Sequence, residues 1–246
     1  MIKKITYGVL ILIFIQLLNQ FLIFSGSELE RTISPDFQYT RTIVGVYQQT
    51  IQAVTGIVLY RWLFKKGVKD LGINSYHKKL SMKFFAAFVL LWSAIIVLYV
   101  SATYFLFPNT WLTMKTIPLP PTNIMIATLL FQSFFPGMGE EILFRGFIIS
   151  VLSAWVFAGF RQNMASKFGL IALSSAYFAI AHIYFTLAPF RLTHIDYLQI
   201  VTAVCCGAFY AIVYLKTNSL LAPFLAHNFA NTSATIAGYI ISGLLT

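Results

Sequence analysis

The sequence predicts an all-α, polytopic transmembrane helical bundle of seven to eight spans, with a kinked fourth helix and a buried polar cavity. Three observations carry that prediction. Hydrophobic residues fill 59% of the 246 positions and charged residues only 10%, whereas a soluble domain carries about 25% charged residues. Seven apolar segments lie near 5–24, 42–62, 84–107, 122–157, 168–188, 195–215 and 220–242, and a spanning helix needs about 20 such residues. With the N terminus cytoplasmic, twelve Lys and Arg fall in inner segments and four (Arg31, Arg41, Lys115, Arg191) in outer ones. That asymmetry is the positive-inside rule. It accounts for the net charge of +10, so the expected partner is the lipid bilayer and not nucleic acid. The charges between Arg61 and Lys83 also suit anionic lipid, although topology alone explains them.

The first span follows Lys3 and Lys4 and reads as a retained helix, because its apolar run is too long for a signal peptide and no small-residue cleavage site follows. Residues 25–41 read as a polar outer loop. In the first two spans Gln16 shares a helix face with Gln20, and Gln48 with Gln52; Asn19 and Gln49 add to the same polar content. Amide hydrogen bonding between the two helices, at about 0.6 kcal/mol per contact, is one reading; substrate binding is the other. Residues 63–83 form an inner segment with room for a short amphipathic piece on the membrane surface. Between 108 and 121, Pro108, Pro118, Pro120 and Pro121 cannot continue a helix, so the fourth span starts near Thr122.

That fourth span is too long. As straight helix its 36 residues would measure about 54 Å against a hydrocarbon core of about 30 Å. Pro136 and Gly137 are expected to kink or break it, and irregular backbone at depth is tolerated where it lines a water-filled cavity. Cys205 and Cys206 are adjacent, show no metal-ligand spacing, and read as apolar packing.

The chemistry concentrates just after Gly137. Glu140 and Glu141 are two of only seven acidic residues, and the other five lie in or beside expected loops. A charge at this depth costs about 2.5–3.5 kcal/mol, which makes it a functional candidate. Glu141 and Arg145 are four apart with the acid first, the favoured order for a helical ion pair. Glu140, turned about 100° away, is left to face the cavity as general base; the alternative is one buried cluster of all three. His182 in the fifth span and His227 in the seventh need polar partners, and few exist. His227 and Asn231 share a face and together make an oxyanion hole, while Glu140 with His182 would bind and deprotonate water. Counted along straight helices, Glu140 lies about 28 Å from the outer side and His227 about 17 Å from the inner one. A break or tilt must therefore bring them together, in a site opening to the cytoplasm. No His-Glu-x-x-His helix, intramembrane aspartate pair or Gly-x-Ser-Gly motif is present.

These motifs resemble the CPBP (CAAX prenyl endopeptidase and bacteriocin-processing, Abi) intramembrane protease family. Glu140-Glu141-x-x-x-Arg145, with Phe144 and Gly146, matches its first motif. Phe178-x-x-x-His182 matches its second, and His227-x-x-x-Asn231 its third. The resemblance covers roughly 122–242, which it implies is the catalytic core of a single integral membrane domain spanning 1–246, with three further spans in 1–121. It implies an intramembrane endopeptidase in which Glu140 and His182 activate water and His227 and Asn231 stabilise the oxyanion. Both a metal-free glutamate mechanism and a zinc site of Glu140, His182 and His227 suit these residue types. The expected substrate is a membrane-associated peptide or protein, such as a peptide pheromone or bacteriocin precursor, in a bacterial plasma membrane. The alternatives are a non-catalytic immunity or partner-binding protein and a proton-coupled transporter, the latter disfavoured by the lack of an inverted repeat.

Overall fold

The computed structural model describes residues 2–33, 40–158, 164–187 and 190–243. Each apolar segment becomes a long helical stretch: α1 Ile2–Ile33, α2 Thr40–Phe64, α3 Lys78–Leu106, α5 Thr122–Glu141 with its continuation, α7 Met164–Ile180, α8 Tyr197–Thr217 and α9 Leu221–Gly243. A short α4, Pro108–Lys115, lies between α3 and α5. This is an all-α membrane protein with one small exception described below. Among the described residues, three helices qualify as spans by length and apolarity alone, within Lys3–Ile33, Lys78–Leu106 and Tyr197–Thr217. Among the rest, α2, α5 and α9 carry the glutamines, glutamates and histidine that build the site, and α7 has only 17 residues.

Several boundaries differ from those the sequence suggests. α1 runs on to Ile33, so most of the expected outer loop is helix, and Glu28 is held on it by Arg31 at 2.7 Å. Asp36 and Arg161 lie outside the described residues, as do the side chains of Arg41 and His194. Residues 65–77 form turns with no amphipathic helix. Pro108 opens α4 instead of preventing it, because a proline in the first turn lacks only an N–H that would be unsatisfied anyway.

The fourth span is not broken at Pro136. α5 passes through it and continues as a π-helix over Ile142–Ile148, a short α6 over Ile149–Val151, and a second π-helix over Leu152–Val156. A proline frees backbone groups that something must satisfy. Here Asn228 of α9 does so: the Gly137 N–H donates to Asn228 Oδ1 at 2.8 Å, and Asn228 Nδ2 reaches the Phe134 carbonyl at 3.5 Å. The irregularity begins six residues further on, at Ile142, as widened π turns, a form frequent at functional sites.

The fifth span also ends early. Beyond Ile180 the chain turns and forms a hairpin, β1 Tyr184–Leu187 antiparallel to β2 Phe190–His194. A short apolar run does not distinguish strand from helix by hydrophobicity, and the aromatic and β-branched character of Tyr184-Phe185-Thr186 favours the strand. His182 therefore sits on the turn after α7, not within a helix.

The core forms where the π-helical stretch meets its neighbours. Leu143, Phe144, Ile148 and Leu152 pack with Ile15 of α1, Phe178 of α7 and Ala211 of α8. α1 buries Ile11, Ile15, Asn19 and Leu22, a spacing of three and four that makes one helical face. The loop after α2 is tied to the α8–α9 turn through Leu220 N–H to Gly72 O at 2.8 Å and Ser219 Oγ to Asn74 O at 2.9 Å. Cys205 is exposed and Cys206 buried, and both are free.

Candidate active site

Helices α2, α5 and α9 converge on the two glutamates. Gly139 lets α2 come within backbone distance: a Cβ there would lie 2.5 Å from the Gln49 carbonyl oxygen. That proximity brings Gln49 Nε2 to Glu140 Oε1 at 2.8 Å. Glu140 keeps 14% of its side chain exposed, and its second oxygen, Oε2, is buried without a hydrogen-bond partner. The nearest basic atom to that oxygen is His227 Nε2, at 3.6 Å, which is beyond a direct hydrogen bond.

Glu141 and Arg145 are both fully buried, with Arg145 Nη1 donating to Glu141 Oε1 at 3.1 Å. The same oxygen takes His227 Nδ1 at 2.7 Å. A carboxylate oxygen only accepts, so His227 carries its proton on Nδ1 and turns Nε2 towards Glu140. The guanidinium lies over Phe178 at 4.3 Å and Tyr210 at 5.3 Å, where the ring faces offset part of the cost of burying it. Tyr210 stacks on the His227 ring at 5.4 Å and 14°. The imidazole is thus fixed by a hydrogen bond at one edge and an aromatic plate on its face.

His182 is held differently. Its Nδ1 lies 2.7 Å from the Phe178 carbonyl, an acceptor, so Nδ1 donates and Nε2 is left as an acceptor. Phe178 packs edge-on against both imidazoles, at 4.8 Å from His182 and 5.8 Å from His227. The second motif's phenylalanine thereby spaces the two histidines.

Glu140, His182, His227 and Asn231 line one cavity of about 630 Å³. Glu141 and Arg145 do not line it; they stand behind His227. Much of the remaining wall comes from α1 and α2, where Asn19, Gln48, Gln49 and Gln52 face the same space. Gln52 Nε2 donates to Asn19 Oδ1 at 2.8 Å, an amide bond between the first two helices, while Gln49 turns to the glutamate. Gln49, Gln52 and Asn19 were visible in the sequence as polar residues in an apolar stretch, but nothing local assigns them partners. Asn228, which spans the proline, gave no such signal.

The cavity's lining runs through Ile23, Ser27, Val44, Tyr184 and Gln199, towards the end of the bundle where α1 finishes and α2 begins. No residue of the basic 61–83 segment lines it. Relative to the helices, the cavity thus opens away from the basic end, opposite to the side the straight-helix count suggested. At the basic end a separate apolar groove of about 580 Å³, lined by Ile57, Ile73, Leu220 and Phe224, reaches Glu141 from behind.

Among the described residues no three His, Cys, Asp or Glu side chains stand close enough together to form a metal-binding group as they are placed.

Comparison with known proteins gives one family: residues 121–233 match the model described as Type II CAAX prenyl endopeptidase Rce1-like. The resemblance read from the three motifs is borne out. No curated protein and no solved structure matches the chain. The match ends before the last helix does and leaves out α1 and α2, which supply the amide wall.

Proposed function

We propose that this chain, a CAAX-protease-type membrane protein by the family match over residues 121–233, is an intramembrane endopeptidase that cuts a membrane-associated peptide or protein by a glutamate mechanism. The observation that carries the reading is the shared cavity, onto which Glu140, His182, His227 and Asn231 all open. A peptide or membrane-protein tail with its scissile bond in that cavity would meet all four groups. A pheromone or bacteriocin precursor in a bacterial plasma membrane is the substrate type we favour.

Glu140, whose Oε2 has no hydrogen-bond partner and whose side chain lines the cavity, takes one proton from a water whose other hydrogen is held by His182 Nε2. The hydroxide attacks the scissile carbonyl carbon, and the carbonyl oxygen becomes an oxyanion. The His227 ring and the Asn231 amide stabilise the oxyanion, a contribution of about 10²–10³ in rate for a single donor. Collapse of the intermediate breaks the C–N bond, and Glu140 returns its proton to the leaving amine. No step here requires a metal.

The test is cleavage of a membrane-peptide library by purified protein in lipid, comparing wild type with Glu140→Gln, with and without a chelator. Cleavage lost in the variant and retained with chelator supports the reading. Loss with chelator transfers the chemistry to a metal. A folded wild type that cuts nothing returns the weight to partner binding or transport.

A further inference from the structure

We propose that the apolar groove behind Glu141 is a binding site for an anionic glycerophospholipid of the surrounding membrane. One acyl chain lies in the groove, and the lysines of the turn after α2 hold the phosphate. The inference is independent of the endopeptidase reading and concerns the other end of the bundle from the polar cavity.

The groove, about 580 Å³, reaches from Ile73 and Asn74 to Gly137 and Glu141. Its α2 wall is Thr50, Ala53, Val54 and Ile57, a spacing of three and four that makes one helical face. α9 adds Leu221 and Phe224, and α5 adds Met138. Val54 is 50% exposed and Ile73 39%, so no described helix closes the slot, and in a bilayer the chains of lipid are what meets it. Glu141 is already fully buried, so an acyl chain seated against it strips no further water from the carboxylate.

The charge at the end of the groove selects the lipid. Between Arg61 and Lys83 there are seven Lys and Arg against one acid, Asp70, and Asp70 accepts the Gly67 N–H. Lys65, Lys66 and Lys69 are exposed, and none of them is in an ion pair with a described residue. Groove and lysines are tied together, because Asn74, which lines the groove, donates through Nδ2 to the Lys69 carbonyl at 2.6 Å. Trp62 and Tyr76 are exposed on the same segment, and these are the residue types that settle at headgroup level. The lysines thus stand at the depth of a lipid phosphate, with the groove at the depth of its chains. Membrane orientation accounts for the number of cations here, but not for an open apolar slot that ends at them. A basic cluster beside a span attracts anionic lipid, and the slot turns that diffuse attraction into a site.

The probe is phosphatidylglycerol with a photoreactive diazirine at the end of one acyl chain, compared with phosphatidylcholine carrying the same chains. Each is present as a trace in phosphatidylcholine nanodiscs holding the full-length protein, and the crosslinked peptides are mapped by mass spectrometry. The anionic probe should label residues 50–57 and 220–224 at least tenfold more than the neutral one. On the exposed face of α3, around Leu90 and Leu98, where only bulk lipid is met, the two probes should label within twofold of each other. Replacing Lys65, Lys66 and Lys69 together by Gln should remove the preference at the groove, and Val54→Trp should lower labelling there without changing it on α3. Equal labelling of the groove by both probes overturns the proposal, as does groove labelling by the anionic probe no stronger than on α3. Displacement of the probe by a prenylated peptide would assign the groove to the substrate's own lipid and overturn it too. The comparison of the two probes on the unsubstituted protein decides the matter even if a variant fails to fold.

Discussion

At the scale of single residues, the two neighbouring glutamates are separated by what touches them. Glu141 Oε1 serves both Arg145 and His227 in a fully buried position, whereas Glu140 meets Gln49 and the cavity. Substituting each by glutamine should give opposite signatures. Glu141→Gln leaves the Arg145 charge unpaired in a dry site and should cost about 3–5 kcal/mol, seen as a lowered thermal unfolding midpoint in detergent. Glu140→Gln removes no ion pair and should leave that midpoint nearly unchanged, while lowering hydrolysis by about 10²–10⁴-fold as expected for a lost general base. If both variants lose stability equally, the two carboxylates form one structural cluster and Glu140 is not the free base. Asn231→Ala adds a third case: a drop in kcat of about 10²–10³ with little change in KM marks an oxyanion donor, while a change in KM alone marks substrate binding.

At the scale of elements, the site depends on how closely α2 and α5 approach, and Gly139 sets that distance. A side chain there would meet the Gln49 backbone, and overpacking of this kind costs about 1–3 kcal/mol. Gly139→Val should part the helices, detach Gln49 from Glu140 and depress hydrolysis, although Gly139 touches no substrate. Gly238→Ala on α9 is the control, since a Cβ there meets nothing within 4 Å; it should preserve activity and leave stability equal or slightly raised. Equal activity in both variants would show that the close approach is incidental. This level also marks the limits of reading the chain alone. The helical stretches were legible because hydrophobicity varies on the scale of a whole helix, and the Glu141–Arg145 pair because a spacing of four is local. The strand at Tyr184–Leu187 was not, since four residues carry no length signal. The passage through Pro136 was not either, because the partner that takes the Gly137 N–H is Asn228, 91 positions beyond Gly137. The amide wall failed for the same reason: Gln49 and Glu140 are likewise 91 residues apart, and only the folded helices bring them together.

At the scale of the molecule, the polar cavity and the basic segment occupy opposite ends of the bundle. Ser27 and Gln199 border the cavity, while Asn74 lies in the loop among the lysines and borders the apolar groove behind Glu141. If the Lys and Arg distribution fixes the 61–83 segment inside, the cavity faces the outer leaflet, and the cut is made on a peptide arriving from outside or sliding laterally within the membrane. Single cysteines test this directly. In a background with Cys205→Ser and Cys206→Ser, Ser27→Cys and Gln199→Cys should react with a membrane-impermeant maleimide added to intact cells. Asn74→Cys should react only after permeabilisation. The reverse pattern would place the N terminus outside and turn the cavity to the cytoplasm, where a precursor would be met directly after synthesis. Preincubation with a cavity-binding peptide should slow labelling at Ser27 and Gln199 and not at Asn74, because the cavity and the groove share no lining residue. Equal protection at all three positions would mean that the cavity and the groove form one passage, and the glutamates would then line a path through the protein, as the transport reading requires.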